Sequence, residues 1–116
     1  MPHLILEHSA NVLEKETFLT LFEKCHHLLA ETLPTERKSC VSRAIEYDQY
    51  YVGEGRPNSA FIHVAVKVKA GRTAEVLKKT GEALLAAVKE HCLASSKQLL
   101  LKVSVEIVEL GENYFS

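Results

Sequence analysis

Two residues stand where their types could do proton chemistry. Pro2 directly follows Met1 and opens a short apolar run, PHLILEH. Proline has no amide hydrogen, so a strand accepts it at its first position or at an edge, and starting a strand is one sufficient reason for it. The other reason is chemical. Once Met1 is removed, the ring nitrogen of Pro2 is a secondary amine, somewhat more basic than an ordinary terminal amine of pKa about 8. To act as a base near neutral pH its protonated form must be destabilised, which a dry apolar pocket or a neighbouring cation would do. Arg72, in KAGRT, follows a small-residue break after an alternating strand and stands at a helix start. An arginine there can clamp a carboxylate through two parallel hydrogen bonds or stabilise negative charge as it develops. The helix dipole disfavours a cation at that end, which weighs for a functional placement over a merely solvated one.

The other reactive side chains read as structural. His26 and His27 are adjacent, and no histidine pair falls at the i, i+4 step of a helical zinc motif. His3, His8, His63 and His91 are scattered, so a structural or surface role is expected for all six histidines and no metal site is expected. His63 lies opposite the apolar face of its strand, where a subunit contact or a pocket would meet it. The three cysteines, Cys25, Cys40 and Cys92, form no C-x-x-C pair, and Cys25 and Cys92 fall at apolar helical positions as small buried hydrophobes.

Elements able to carry such residues are legible from periodicity. Residues 3–8 alternate, with Leu4 and Leu6 on one face and His3, Ile5 and Glu7 on the other. Residues 14–33 repeat apolar side chains at helical spacing (Phe18, Leu21, Phe22, Cys25, Leu28, Leu29), and Pro34 helps to end the run. A ragged strand is expected over about residues 40–52, followed by the turn GEGRPNS. The order then repeats. Residues 60–69 alternate, residues 73–92 are helical, and residues 98–110 alternate again. Gly81 interrupts the second helix, at a cost of about 1 kcal/mol against alanine unless something packs closely there.

The fold expected is therefore α/β (α+β): tandem β-α-β repeats, halves of about residues 1–52 and 60–110, in one domain spanning 1–116. Each crossover makes its two strands parallel. Joined, the halves form one four-stranded mixed sheet with both helices on one face. The other face holds enough apolar character that further copies of the chain are expected to cover it.

Composition agrees with a soluble domain: 116 residues, 47% hydrophobic, 25% charged, net charge −1. No basic stripe suggests nucleic acid or an anionic membrane as partner, and no apolar run approaches the roughly 20 residues that span a bilayer. Without a recognisable signal segment, a cytoplasmic location is expected.

With Pro2, the double β-α-β order and the post-strand GR in view, the chain resembles the tautomerase superfamily, and within it the long two-repeat 5-carboxymethyl-2-hydroxymuconate Δ-isomerase family. The resemblance lies in PHLILEHSANV, SRAIEYD, AFIHVAVKVKAGRTAEVLKKTGEALLAAVKEH and LLLKVSVEIVEL, most of the chain. It implies homotrimers with three active sites and no cofactor. The reaction implied moves a proton between a dienol oxygen and a carbon of an unsaturated hydroxy or keto di- or tricarboxylic acid, of the kind arising in homoprotocatechuate breakdown. On this resemblance Pro2 is the base and Arg72 its catalytic partner, whose charge also lowers the amine pKa. Arg43, in VSRAIEYD, becomes a substrate-binding residue, against its other reading as an edge-strand surface arginine. Related sequences often read R-S-R there, whereas this chain has Val41 in the first place. Arg37, Lys38 and Arg56 are the candidates to replace the missing cation, and Tyr47, Tyr50, Tyr51 and Phe61 are candidates for pocket walls. Val41 also motivates the alternative of a trimeric small-molecule binding or interaction protein without the native activity. A third option keeps Pro2 but adds water to, or removes halide from, unsaturated acids.

Overall fold

The computed structural model describes residues Met1–Ser116. Alternation places β1 (His3–Ser9) with Leu4 and Leu6 buried, and the apolar stripe of α1 (Phe18–Thr32) packs Leu21, Phe22, Cys25 and Leu29 over them. β2 (Val41–Tyr47) returns parallel to β1 and is mostly exposed. β3 (Ser59–Lys69) buries Ala60, Ile62, Val64, Val66 and Val68 on one face. α2 (Ala74–His91) adds Leu84, Ala87 and Val88, a short α3 (Leu93–Gln98) follows, and β4 (Leu100–Leu110) closes the sheet parallel to β3.

The strand order is β2-β1-β3-β4, with β1 antiparallel to β3. The two β-α-β halves thus join into the one four-stranded mixed sheet that the repeat predicts, and they meet at their first strands. Both helices lie on the face carrying Leu4, Leu6, Ile62, Val64 and Val66, and one hydrophobic core draws side chains from both halves. The opposite face is open.

Three boundaries differ from the sequence expectation. The second strand stops at Tyr47 rather than about residue 52, because residues beyond it turn, with Gly53 and Gly55 at φ of 57° and 76°. Those are left-handed conformations that a strand cannot use and that glycine tolerates. The first helix proper begins at Phe18; ahead of it Lys15–Thr17 forms a single 3-10 turn, with the Thr17 hydroxyl donating to the Glu14 carbonyl at 3.1 Å. α3 was not expected. Its Ser95 amide donates to the Glu14 carboxylate at 2.9 Å and its Ser95 hydroxyl bonds the same group, contacts made across 81 positions of sequence.

Candidate active site

Strand directions gather the candidate residues at one end of the sheet. β1 and β2 begin there, while β3 and β4 end there. Pro2 is buried, and its carbonyl accepts the Val41 amide at 2.9 Å, extending the β1–β2 ladder by one step. It therefore starts the strand, and it lacks only a proton donor that this position does not need. With Met1 attached, its nitrogen is an amide and has no basic lone pair. Met1 itself is 47% exposed.

Arg72 follows the end of β3 at the same end of the sheet. Gly71 turns the chain there at φ 111°, and its amide donates to the Glu109 carboxylate at 3.2 Å. Thr73 caps α2, its hydroxyl accepting the Val76 amide at 3.2 Å. Between glycine turn and cap, half-buried Arg72 donates Nη1 to the Lys69 carbonyl at 2.7 Å. Arg43 projects from β2 on the open face and donates Nη1 to His3 Nδ1 at 3.3 Å. His3 Nε2 in turn lies 3.0 Å from the Tyr114 hydroxyl, the two rings edge to face with centroids 5.9 Å apart. Lys67 is the register partner of His3 on β3. Burial first, then the charges of Arg43, the chain terminus and Lys67, hold His3 below its ordinary pKa of 6.5. None of Arg43, Lys67 and Arg72 pairs with a carboxylate. One sheet end thus concentrates unpaired cations, a setting suited to an anionic ligand.

The substitutes considered for the arginine missing at Val41 are not brought here. Arg37 donates to His27 on α1 at 2.8 Å, Lys38 pairs with Glu36 at 3.2 Å, and Arg56 sits at the far end beside Ser59 and Leu100. The aromatic candidates are also at the far end of the same chain. Tyr47 and Tyr50 both pack on Phe61, with centroids 6.2 and 6.1 Å apart, while Tyr51 is exposed. The cause is topological: β2 ends and β3 begins opposite to where β1 begins. Sequence reasoning gave His3 no site role and passed over Tyr114. The position of His3 next to Pro2 was a signal, whereas nothing local marks Tyr114.

The remaining histidines have partners of their own. His8 is buried, donating Nδ1 to the Ser9 carbonyl at 2.9 Å and meeting Phe18 edge-on. His63 lies on the open face between Ser104 at 2.7 Å and Glu106 at 2.9 Å. No three His, Cys, Asp or Glu side chains converge as a metal site would require. Burial pushes the thiols of Cys25 and Cys92 up to about 11 and about 12, so neither is a nucleophile near neutral pH.

Within one chain the site is a rim rather than a pocket. Pro2 and Arg72 line none of the five principal clefts. Arg43 borders one of about 550 Å³ between β2 and α1, with Phe18, Leu19 and Phe22.

A family model described as 5-carboxymethyl-2-hydroxymuconate isomerase matches residues 2–115. The 5-carboxymethyl-2-hydroxymuconate Delta-isomerase of Escherichia coli is 34% identical over 110 residues, covering 95% of this chain and 87% of that protein. The crystal structure of a 5-carboxymethyl-2-hydroxymuconate isomerase from Deinococcus radiodurans R1 superposes with a TM-score of 0.89 at 31% identity, covering 99% of this chain and 87% of that one. A fused 4-OT protein, described as a symmetric trimer, shares the fold with a TM-score of 0.73 at 15% identity, covering 94% of this chain and 87% of that one. No helix is long and apolar enough to cross a membrane.

Proposed function

This chain belongs to the 5-carboxymethyl-2-hydroxymuconate isomerase family, and on that premise we propose that it is a cofactor-independent isomerase using Pro2, freed of Met1, as general base. The substrate class is an unsaturated hydroxy or keto di- or tricarboxylic acid of the 5-carboxymethyl-2-hydroxymuconate type, met in the cytoplasm during homoprotocatechuate breakdown. The observation that carries the reading is the gathering of buried Pro2 with Arg72 and Arg43, neither paired with a carboxylate, at one sheet end.

The proposed step needs no oxidant and no added group. The Pro2 amine removes the proton of the dienol O–H, the carbonyl forms as the double bonds shift, and the same proton is returned to a carbon at the far end of the conjugated system. Bonds broken and formed are one O–H and one C–H. Arg72, already fixed through Nη1 on the Lys69 carbonyl, keeps its other N–H donors for negative charge on the dienolate oxygen. Arg43 binds a substrate carboxylate and holds the reacting atoms in place. Nearby cations also destabilise protonated Pro2, lowering its pKa toward neutrality.

We assign the working form to a homotrimer. That assignment draws support from the open sheet face and from the rim-like site of a single chain, which other copies would close.

Intact mass is the first test, since only chain lacking Met1 can work this way. Pro2→Ala in such processed protein is then expected to cut kcat on 2-hydroxymuconates by about a hundredfold or more, the scale of a lost general base. Full activity in that variant would sink the mechanism. A processed wild type inert on a whole panel of unsaturated keto and hydroxy acids would favour a binding role instead, for which Val41 in place of an arginine is the motive.

A further inference from the structure

Chemistry fixes the direction of the hydrogen bonds running through His3. A guanidinium has donors only, so His3 Nδ1, 3.3 Å from Arg43 Nη1, must accept. A neutral imidazole then carries its proton on Nε2, and that N–H donates to the Tyr114 hydroxyl oxygen at 3.0 Å. The phenol spends an acceptor pair on this contact. Its own O–H makes no hydrogen bond within the chain. An uncommitted donor thus stands against His3, the residue after Pro2, among cations that lack carboxylate partners.

We propose that His3 holds Arg43 and Tyr114 together as a carboxylate-binding corner beside Pro2, in which Tyr114 donates its O–H to a substrate carboxylate and Lys67 adds charge. His3 is a positioning residue here, and Tyr114 is the new contact to substrate. The proposal deepens the isomerase reading and rests on it for the identity of the substrate, though not for the arrangement of the groups. It also gives Val41 a consequence. Val41 and Lys67 flank His3 on the two neighbouring strands, so a neutral phenol on His3, with a lysine across β1, stands in for the arginine that relatives carry at the Val41 position. Recognition there depends on one directed O–H in place of a fork of N–H groups.

The probe is trimesate, a flat and unreactive tricarboxylate, titrated calorimetrically into Met1-free wild type, Tyr114→Phe, His3→Ala and His3→Gln. Melting temperature and oligomeric state serve as controls. The wild type is expected to bind saturably, and Tyr114→Phe to bind about ten- to a hundredfold more weakly, as for a lost hydrogen bond to a charged group. His3→Ala should match that loss. His3→Gln, which offers both an acceptor and an N–H donor, should recover part of it. Ring-nitrogen NMR should find His3 unprotonated at Nδ1 and protonated at Nε2. Absent binding to the wild type, Tyr114→Phe affinity within twofold of wild type, or a protonated Nδ1 would each overturn the proposal. Since no turnover is needed, the two readings separate. A chain that binds trimesate through Tyr114 but isomerises nothing overturns the enzyme reading alone, and an active chain indifferent to Tyr114 overturns this one alone.

Discussion

At the scale of single residues, proton affinity links the site to stability. His3 and His26 are both held below 6.5, in each case mainly by burial, with Arg43 the next cause at His3 and His27 at His26. The folded chain therefore binds these protons less readily than the unfolded one. Their contribution is full above the unfolded value of 6.5 and is lost as pH falls through the lowered folded values. Urea midpoints are expected to fall as pH drops from about 7 to about 5, and to fall less in a His3→Gln, His26→Gln double variant. Equal slopes in the two proteins would show that other groups set the acid sensitivity. These residues also show what a sequence can and cannot yield. Pro2 and Arg72 are legible because each stands at a punctuation mark, a chain start and a small-residue break, whose direction strand alternation already determines. The Tyr114 contact with His3 spans 111 positions and follows no periodicity, so only the folded chain presents it.

Elements position these residues, and two glycines show how differently an element can use the same residue. Gly71 sits at φ 111°, where a side chain would strain the backbone, and its turn delivers Arg72 to the sheet end. Gly81 lies within α2 in ordinary helical conformation. A methyl group added there would meet only Ile107 Cδ1, at 3.6 Å, which is normal contact. The close packing that would justify Gly81 is thus missing, and the helix bears the entropic cost of glycine without a steric return. Gly81→Ala is expected to raise unfolding free energy by about 0.5–1 kcal/mol in denaturant titration, with unchanged kinetics. A destabilised variant would mean that α2 needs the glycine for a neighbour outside this chain. β3 was readable because it is buried on one face only, which imposes strict alternation. β2 was ragged because it is an exposed edge, and α3 was invisible because Glu14, from a distant loop, stabilises it.

Over the whole molecule, the sheet is finished on one side only. The chain is elongated, 42 × 25 × 25 Å with a radius of gyration of 14.6 Å, against about 13 Å for a compact chain of this length. On the helix-free face Val41, Ile45 and Val108 are each about two-fifths exposed, whereas Leu4, Leu6, Ile62, Val64 and Val66 under the helices are buried. Several polar groups of that face already have partners there: Tyr47 donates to Glu7, and His63 bonds Ser104 and Glu106. Covering it would bury these apolar side chains while leaving those polar groups with the partners they have, which favours an interface between copies. Ile45→Glu tests this directly. In a closed ring the new carboxylate would be buried once per copy with no cation assigned to it, at several kcal/mol in total. In a monomer it would sit in water on an edge strand and cost almost nothing. Light scattering on Met1-free protein should then show trimer for the wild type and monomer for Ile45→Glu, with the same far-ultraviolet spectrum and with turnover lost. A variant that stays trimeric and active would place the interface elsewhere. A wild type that is already monomeric yet fully active would mean that the rim formed by Pro2, Arg72 and Arg43 is a complete site within one chain.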